Sequence, residues 1–441
     1  MNNKVFITSK KIGRLGGLLI SRGMPKVVFL SALLVSVSGQ GSTLPQLMRQ
    51  ALNHHPQVHA QLAIIDVKKV GVATAKWQYY PTLSANYETV SVAKSDASFM
   101  GSSEVTTLSI EQPIWSGGLL AAGVEAANSH VALGQGQLQV VKLNVAETVL
   151  QAYGHWVSGH QTMQAWGRAL AVHKDLENQV QNRVDYGVSA PIDLALAAGR
   201  VASTLGQYLA AESEAQLALD AINQLTQNQL THQDLVQDLS ASAPIMLNLN
   251  HHGMWDKAQL IDPQITLAKS EIRLAQVELK QQKASISPRL YFRAEQQVNS
   301  FSNAQAGSST RFFFGFSGTS GAGLSVLSKN NAAAAMVKAK QAALAAIKYT
   351  QRQKLVNLIT KIDALQLRTE ALNSAMEATL AVSNSYSRQF LAGRKTWQEV
   401  LNSAREQVQM EVQIVDLKAA LLVAQWRLLL NTSDLTLKGD P

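Results

Sequence analysis

Residues 56–88 read PQVHAQLAIIDVKKVGVATAKWQYYPTLSANYE, and residues 263–295 read PQITLAKSEIRLAQVELKQQKASISPRLYFRAE. Laid over each other without a gap, at a displacement of 207 positions (56 to 263, 81 to 288), they share Pro56/Pro263, Gln57/Gln264, Ile65/Ile272, Val70/Val277, Lys76/Lys283, Pro81/Pro288, Leu83/Leu290 and Glu88/Glu295. A repeat of this length decides the architecture, so the chain reads as a tandem duplication. In each copy the first proline opens an apolar-periodic stretch, where a missing N–H costs nothing. Pro81 and Pro288 end that stretch and mark where an alternating segment starts. Each half therefore reads as helix, then strand.

Outward from the first copy, Leu83, Ala85, Tyr87 and Thr89 alternate with Ser84, Asn86 and Glu88, and a second strand returns over Val105 to Trp115. The second copy repeats this with Leu290, Phe292 and Ala294 against Tyr291, Arg293 and Glu295, and a Phe- and Gly-rich return over Arg311 to Leu327. The β-hairpins are thus expected at 82–115 and 290–327. Charges on one face and apolar residues on the other, over about 9–11 residues, suit a wall between water and lipid; a half-buried sheet in a soluble sandwich gives the same pattern. Four strands cannot close a barrel, and open edges are not tolerated in lipid, so the membrane reading requires strands from other protomers.

Long helical hairpins are expected at 118–230 and 331–431. A continuous helix from Gly118 to Tyr186 would be roughly 100 Å long. Val408, Val412, Val415, Ala419, Leu422, Trp426 and Leu429 are spaced four and three alternately, as are Leu358, Ile362, Leu365, Thr369, Leu372 and Met376; that spacing means coiled-coil contact between neighbouring helices. Gly134, Gly136, Gly154, Gly159 and Gly167 inside the first long helix mark close helix approach or short breaks. The domain reading is a signal segment at 1–39, a first repeat at 40–230, a linker at 231–252, a second repeat at 253–431 and a tail at 432–441. The fold class is mainly α with transmembrane β.

The chain has 441 residues, 16% charged and 6% aromatic, with a formal charge of +9. Lys10, Lys11, Arg14, Arg22 and Lys26 precede the apolar run Val27 to Val37 and the small residues Ser36, Ser38 and Gly39, the order of a secretory signal, with Met24 a second candidate start. The other Lys and Arg are scattered among Glu and Asp without interleaved aromatics, so no nucleic-acid partner is expected. There is no cysteine, which excludes disulfides, thiolate metal sites, a cysteine nucleophile and a lipidated amino-terminal Cys. His54/His55, His251/His252, His155 and His160 read as surface or interface residues rather than metal ligands, and Gly393-Arg394-Lys395-Thr396 lacks the glycine and strand of a phosphate loop. No nucleophile, base and orienting group come together, so no enzyme and no cofactor is expected.

Leu47 to Pro56 (LMRQALNHHP), the Pro81 strand start, Glu111 to Gly118 (EQPIWSGG), Arg183 to Leu194 (RVDYGVSAPIDL) and Arg388 to Leu401 (RQFLAGRKTWQEVL) together resemble the TolC-type outer membrane factors, exit ducts of bacterial export systems. One departure is Leu324 to Asn331 (LSVLSKNN), which lacks the Gln-Pro and paired glycines of the first strand-to-helix junction. The resemblance implies a homotrimer with one twelve-stranded barrel in the outer membrane and a helical tunnel in the periplasm. It implies partnership with a periplasmic membrane fusion (adaptor) protein and an inner membrane ABC transporter or other pump. The absent Cys is similar to the non-lipidated branch that serves type I secretion of proteins and adhesins; small-molecule efflux is the alternative within the family, and a soluble periplasmic coiled-coil adaptor or structural protein the alternative outside it.

The resemblance also implies that the inner end of the tunnel lies at the helix turns centred on Gly187 and Gly393, where an adaptor docks. Asp193 and Glu399, six residues after each glycine, match acidic aperture positions, and Lys395 matches a basic latch residue, so Asp193 with Lys395 from a neighbouring helix pair is the candidate latch. Phe390 stands where a hydrogen-bonding Tyr occurs and Asn402 where a second acid occurs. The plainer alternative is that Asp193 and Lys395 only favour helix starts and solvent, since exposed pairs contribute about 0–1 kcal/mol.

Overall fold

The computed structural model describes residues 41–91, 99–236, 251–303, 307–318 and 325–432. The expected signal segment at 1–39, most of the linker and all but the first residue of the tail lie outside the described residues.

Two short helices lead each repeat. In the first they are α1 (Leu44–His54) and α2 (Pro56–Trp77); in the second, α5 (His251–Ile261) and α6 (Pro263–Ala284). Both α2 and α6 have proline at the first turn, and the residue before it caps the helix. His55 Nδ1 accepts from Gln57 N at 3.2 Å, and Asp262 Oδ1 accepts from Gln264 N and Ile265 N at 2.7 and 3.1 Å. Each helix stops a few residues short of the next proline. Strands β1 (Thr82–Thr89) and β3 (Arg289–Val298) then start immediately after Pro81 and Pro288.

With β2 (Glu104–Trp115) and β4 (Ser308–Ser317) these strands form one antiparallel sheet in the order β1-β2-β3-β4. The two hairpins are therefore fused: Ser109 lies opposite Glu295 and Glu111 opposite Arg293. The outer strands β1 and β4 keep an unpaired edge each.

From β2 the chain enters α3 (Leu119–Asp185) and returns as α4 (Pro191–Thr226); from β4 it enters α7 (Ser325–Leu391) and returns as α8 (Trp397–Thr432). At about 1.5 Å per residue, the 67-residue helices α3 and α7 are each roughly 100 Å long. The start of α7 corrects the sequence expectation, which carried the hairpin to Leu327 and began the helix at Asn331. Val326 and Leu327 suit either state, but Ser325 to Asn331 contains no proline or glycine to stop a helix growing back from the Ala-rich run that follows.

The glycines inside α3 mark contacts, not breaks. A Cβ on Gly154 would stand 2.3 Å from Val423 Cγ2 on α8, and one on Gly159 would stand 3.0 Å from the Ala215 backbone nitrogen on α4. The heptad positions face inward: Val408, Val415, Ala419, Leu422, Trp426 and Ile362 are all buried. The main core joins α1 to α3, α4 and α8 around Leu47, Val149, Tyr153, Trp156, Ile222 and Leu422. Tyr153 Oη donates to Val236 O at 2.8 Å and Trp156 Nε1 donates to His232 Nδ1 at 2.9 Å, which pins the segment after α4 to the core. His160 is buried and stacks on Trp156 at 5.4 Å, whereas His155 is exposed.

Candidate functional site: the sheet faces and the helix-hairpin tips

Because side chains alternate along a strand, the register fixes two faces of the sheet. One carries Leu83, Ala85 and Tyr87; Leu108 and Ile110; Leu290, Phe292 and Ala294; Phe312, Phe314 and Phe316. Those of β4 are 70%, 72% and 76% exposed, an apolar surface far too large to leave in water. The other face carries Glu88, Glu111, Arg289, Arg293, Glu295 and Arg311 among Ser84, Asn86, Thr107, Ser109 and Ser309. Of the charged strand residues only Glu104, at the loop end of β2 opposite Thr89, lies on the apolar face. Within that face Arg293 lies over the Phe313 ring at 4.8 Å, and a Cβ on Gly315 would meet the Tyr291 ring at 2.7 Å, so aromatic rings cover the gaps. Trp77 and Tyr80, in contact at 4.9 Å, sit at the elbow between α2 and β1. Among the described residues no helix is long and apolar enough to cross a membrane.

The opposite end of the long helices is formed by two turns of the same construction. Gly187 (φ 71°) and Gly393 (φ 72°) take the left-handed conformation that ends α3 and α7. Val188 N donates to Arg183 O at 2.7 Å and Arg394 N to Gln389 O at 2.8 Å, the wrapped C-cap that glycine permits without strain. The two tips meet in one apolar cluster of Leu176, Val180, Ala197, Phe390, Trp397, Val400 and Leu401, with the Arg183 guanidinium 5.1 Å above the Phe390 ring. Phe390 is thus a buried packing residue that ties the two hairpins together.

Asp193 and Glu399 occupy equivalent positions at the third residue of α4 and α8 but are used differently. Asp193 Oδ2 accepts from Ala190 N at 3.3 Å. Glu399 accepts from Lys395 Nζ at 2.6 Å, Thr396 N at 2.9 Å and Thr396 Oγ1 at 3.0 Å. The Lys395 hydrogen bond, followed by those from Thr396, holds its carboxyl down at about 2. Lys395 also lies 4.5 Å over the Tyr386 ring. Within one chain, then, the structure brings Lys395 to Glu399 rather than to Asp193. Lys395 sits in the turn before α8, four residues ahead of Glu399, and that short spacing is the sequence signal for the pair. Asn402 is exposed one turn further on. Behind the tips a groove of about 520 Å³ opens between α3, α7 and α8, flanked by an ion pair of Arg168 with Glu411. No group of side chains able to hold a metal occurs among the described residues.

Residues 47–228 match the family described as Outer membrane efflux protein. Comparison with curated protein sequences gives no match. Among solved structures the chain is similar to the outer membrane protein VceC of Vibrio cholerae (TM-score 0.71, 17% identity, 88% of this chain and 95% of that one). It is also similar to the CmeC outer membrane channel of Campylobacter jejuni (0.72, 13%, 89% and 86%) and to the open MtrE outer membrane channel of Neisseria gonorrhoeae (0.71, 15%, 88% and 89%). At such identities the likeness is one of fold, and it spans nearly the whole of each chain. The sequence match covers the first repeat, and the structural likeness extends the same fold over both repeats.

Proposed function

We propose that three copies of this chain close into the exit duct of a tripartite export system, open to cargo delivered by an inner membrane pump through a periplasmic adaptor. The observation that carries this reading is a four-stranded sheet with two open edges and one aromatic-rich face whose single charged strand residue, Glu104, stands at its loop end. Such a sheet is stable in lipid only if neighbouring copies satisfy the edge N–H and C=O groups. Joining β4 of one copy to β1 of the next puts every charged strand residue on the water side except Glu104, which lies at the loop end of β2 opposite Thr89. In this reading the duct is passive and the inner membrane pump supplies the energy.

For cargo, the reading is type I secretion of a protein or adhesin, supported by the cysteine-free sequence, which has no residue for a lipid anchor. Small-molecule efflux is favoured instead by the description of the matching family. Deleting the gene and comparing secreted proteins with drug sensitivity separates the two. Loss of one secreted protein with unchanged drug sensitivity supports secretion, and the converse refutes it.

The helix tips form the periplasmic aperture in this reading. The Gly187 and Gly393 turns and the groove behind them receive the adaptor, while Asp193, Lys395 and Glu399 set the charge of the opening, with Asn402 beside them. To latch onto Asp193 of a neighbouring helix pair, Lys395 has to leave Glu399. Lys395→Ala should therefore raise single-channel conductance in planar bilayers, and Glu399→Gln, which frees Lys395, should lower it. Equal conductance in all three proteins removes Lys395 from the aperture.

A further inference from the structure

The two long-helix hairpins superpose at a displacement of 206 positions, from Leu119–Asp185 to Ser325–Leu391 and from Pro191–Thr226 to Trp397–Thr432. The register is physical as well as numerical: buried Val149, Trp156 and Ile222 fall on buried Leu355, Ile362 and Leu428. At this level the first repeat is packed solid. Met48 and Ala51 of α1 are buried with Val145, Val149 and Ala152, and Ala221 and Leu225 pack against them.

The second repeat has an open cavity of about 550 Å³ at the corresponding place, walled by α3, α5, the start of α6, α7 and α8. Into it the second repeat introduces three cations, Lys354, Lys361 and Arg427, where the first has Thr148, His155 and Ala221. Only two carboxylates line the same cavity, and neither neutralises them fully. Asp262 is committed to capping α6 through Gln264 N and Ile265 N. Glu147 stands 3.8 Å from Arg427 Nε, beyond hydrogen-bond length, and that buried Nε has no hydrogen-bond acceptor. A buried donor left in this way costs about 1–3 kcal/mol, so its place in the fold calls for an acceptor from outside the chain. Lys361 has no carboxylate within 4.0 Å among the described residues. The remaining wall is mixed: Trp255, Leu355 and Leu358 form an apolar patch beside the cations, and Asn144, Gln264, Gln351, Asn357 and Asn431 complete it with amides.

We propose that this cavity binds a small organic carboxylate, its anionic head between Arg427 and Lys361 and its apolar body against Trp255 and Leu358. The site goes beyond the duct reading and does not depend on it, because every residue in it comes from one chain. A planar guanidinium with an unsatisfied N–H is matched by a carboxylate oxygen, and one uncompensated charge selects a monoanion over a dianion. An apolar floor selects a body that inorganic ions lack.

The test is calorimetric titration of the purified full-length protein with benzoate, with neutral benzamide and inorganic phosphate as parallel titrants. Benzoate should bind saturably at one site per chain with a Kd below about 1 mM. Lys361→Gln and Arg427→Gln should each weaken it tenfold or more, about 1.4 kcal/mol. Lys361 is exposed, so its variant remains informative even if the Arg427 variant misfolds. Benzamide and phosphate should bind at least tenfold more weakly than benzoate. No saturable binding of benzoate, equal binding of benzamide or phosphate, or an unchanged Kd in Lys361→Gln overturns the proposal. The conductance experiments on Lys395 stand or fall separately.

Discussion

Gly117→Ala is expected to be far more damaging than the same change at its neighbour Gly118. Gly117 (φ 60°) and Gly118 (φ 86°) form the corner between β2 and α3, and both need the left-handed region. Giving either a side chain costs roughly 1–2 kcal/mol of backbone strain. Gly118 has nothing within 4 Å of where its Cβ would stand, so strain is its whole cost. A Cβ on Gly117 would lie 2.0 Å from Ser287 Cβ and 2.5 Å from Ser287 Oγ, at the strand corner of the other repeat. No rotamer change moves a Cβ, so the backbone must shift, adding about 1–3 kcal/mol. Gly117→Ala should therefore cost about 2–5 kcal/mol and Gly118→Ala about 1–2 kcal/mol. The assay is the urea midpoint of the purified protein at constant m-value. Ser287→Gly removes the obstructing atoms and leaves Ser287 Cα at 3.5 Å, an ordinary contact. In a double-mutant cycle it should recover the 1–3 kcal/mol clash and none of the strain. A Gly117→Ala loss no larger than that of Gly118→Ala, or a cycle with no coupling, would refute the argument that the two corners are packed against each other.

Two further outcomes follow from the buried helix face and from the sheet. His173 is buried on α3 with Nδ1 2.7 Å from Thr204 Oγ1, and burial first, then Arg200, lowers its pKa from 6.5. Its folded pKa lies below the unfolded one, so its share of stability is complete above pH 6.5 and is lost as the pH falls; His173→Asn should flatten the decline of the urea midpoint between about pH 7 and pH 5, and an unchanged slope excludes His173 as its source. On β4, Phe314→Lys puts a charge on the apolar face and should cost about 2–4 kcal/mol, with loss of folded trimer in membranes, whereas Ser309→Lys on the charged face should leave the yield near wild type; equal yields would mean that the faces are wrongly assigned.

The sequence announces what depends on proline, glycine and periodicity. Pro81 and Pro288 place β1 and β3 because a proline is the one residue that must interrupt the helix before it. The heptads of α7 and α8 identify the buried stripe because it persists over many turns. Where both states tolerate the same residues, as at Val326 and Leu327, the boundary is set by the Ala-rich run downstream, and helix is present at Ser325, six residues before the expected start. The pairing of β2 with β3 is likewise absent from any local signal, since it joins strands more than 170 positions apart in sequence. At the tips, Glu399 and Lys395 each match aperture positions, while their bond to one another is carried by nothing more than a four-residue spacing. The cations of the second repeat were harder still. Lys354 and Lys361 are exposed helix residues and read as a solvated face, and only the cavity beside them separates them from other surface lysines.

Duplication alone would give a trimer six equivalent tips, but the two tips of one chain are chemically unlike. The first exposes Tyr186, Val188 and Ile192 at 84%, 64% and 65%. The second presents Arg394, with Lys395 bound to Glu399. The glycines and the acid positions are kept at the same displacement, so the backbone geometry of the turn is common to both repeats while the side chains around it have diverged. A ring built from these tips alternates apolar and charged segments, and its symmetry is threefold in chemistry even where it is sixfold in backbone. Any partner that seats on all six tips has to offer two kinds of contact, and a rotation of one tip position would set apolar residues against charges. In the proposed trimer, the divergence of the repeats would set the rotational register of a partner seated on the tips, which the shared fold by itself leaves open.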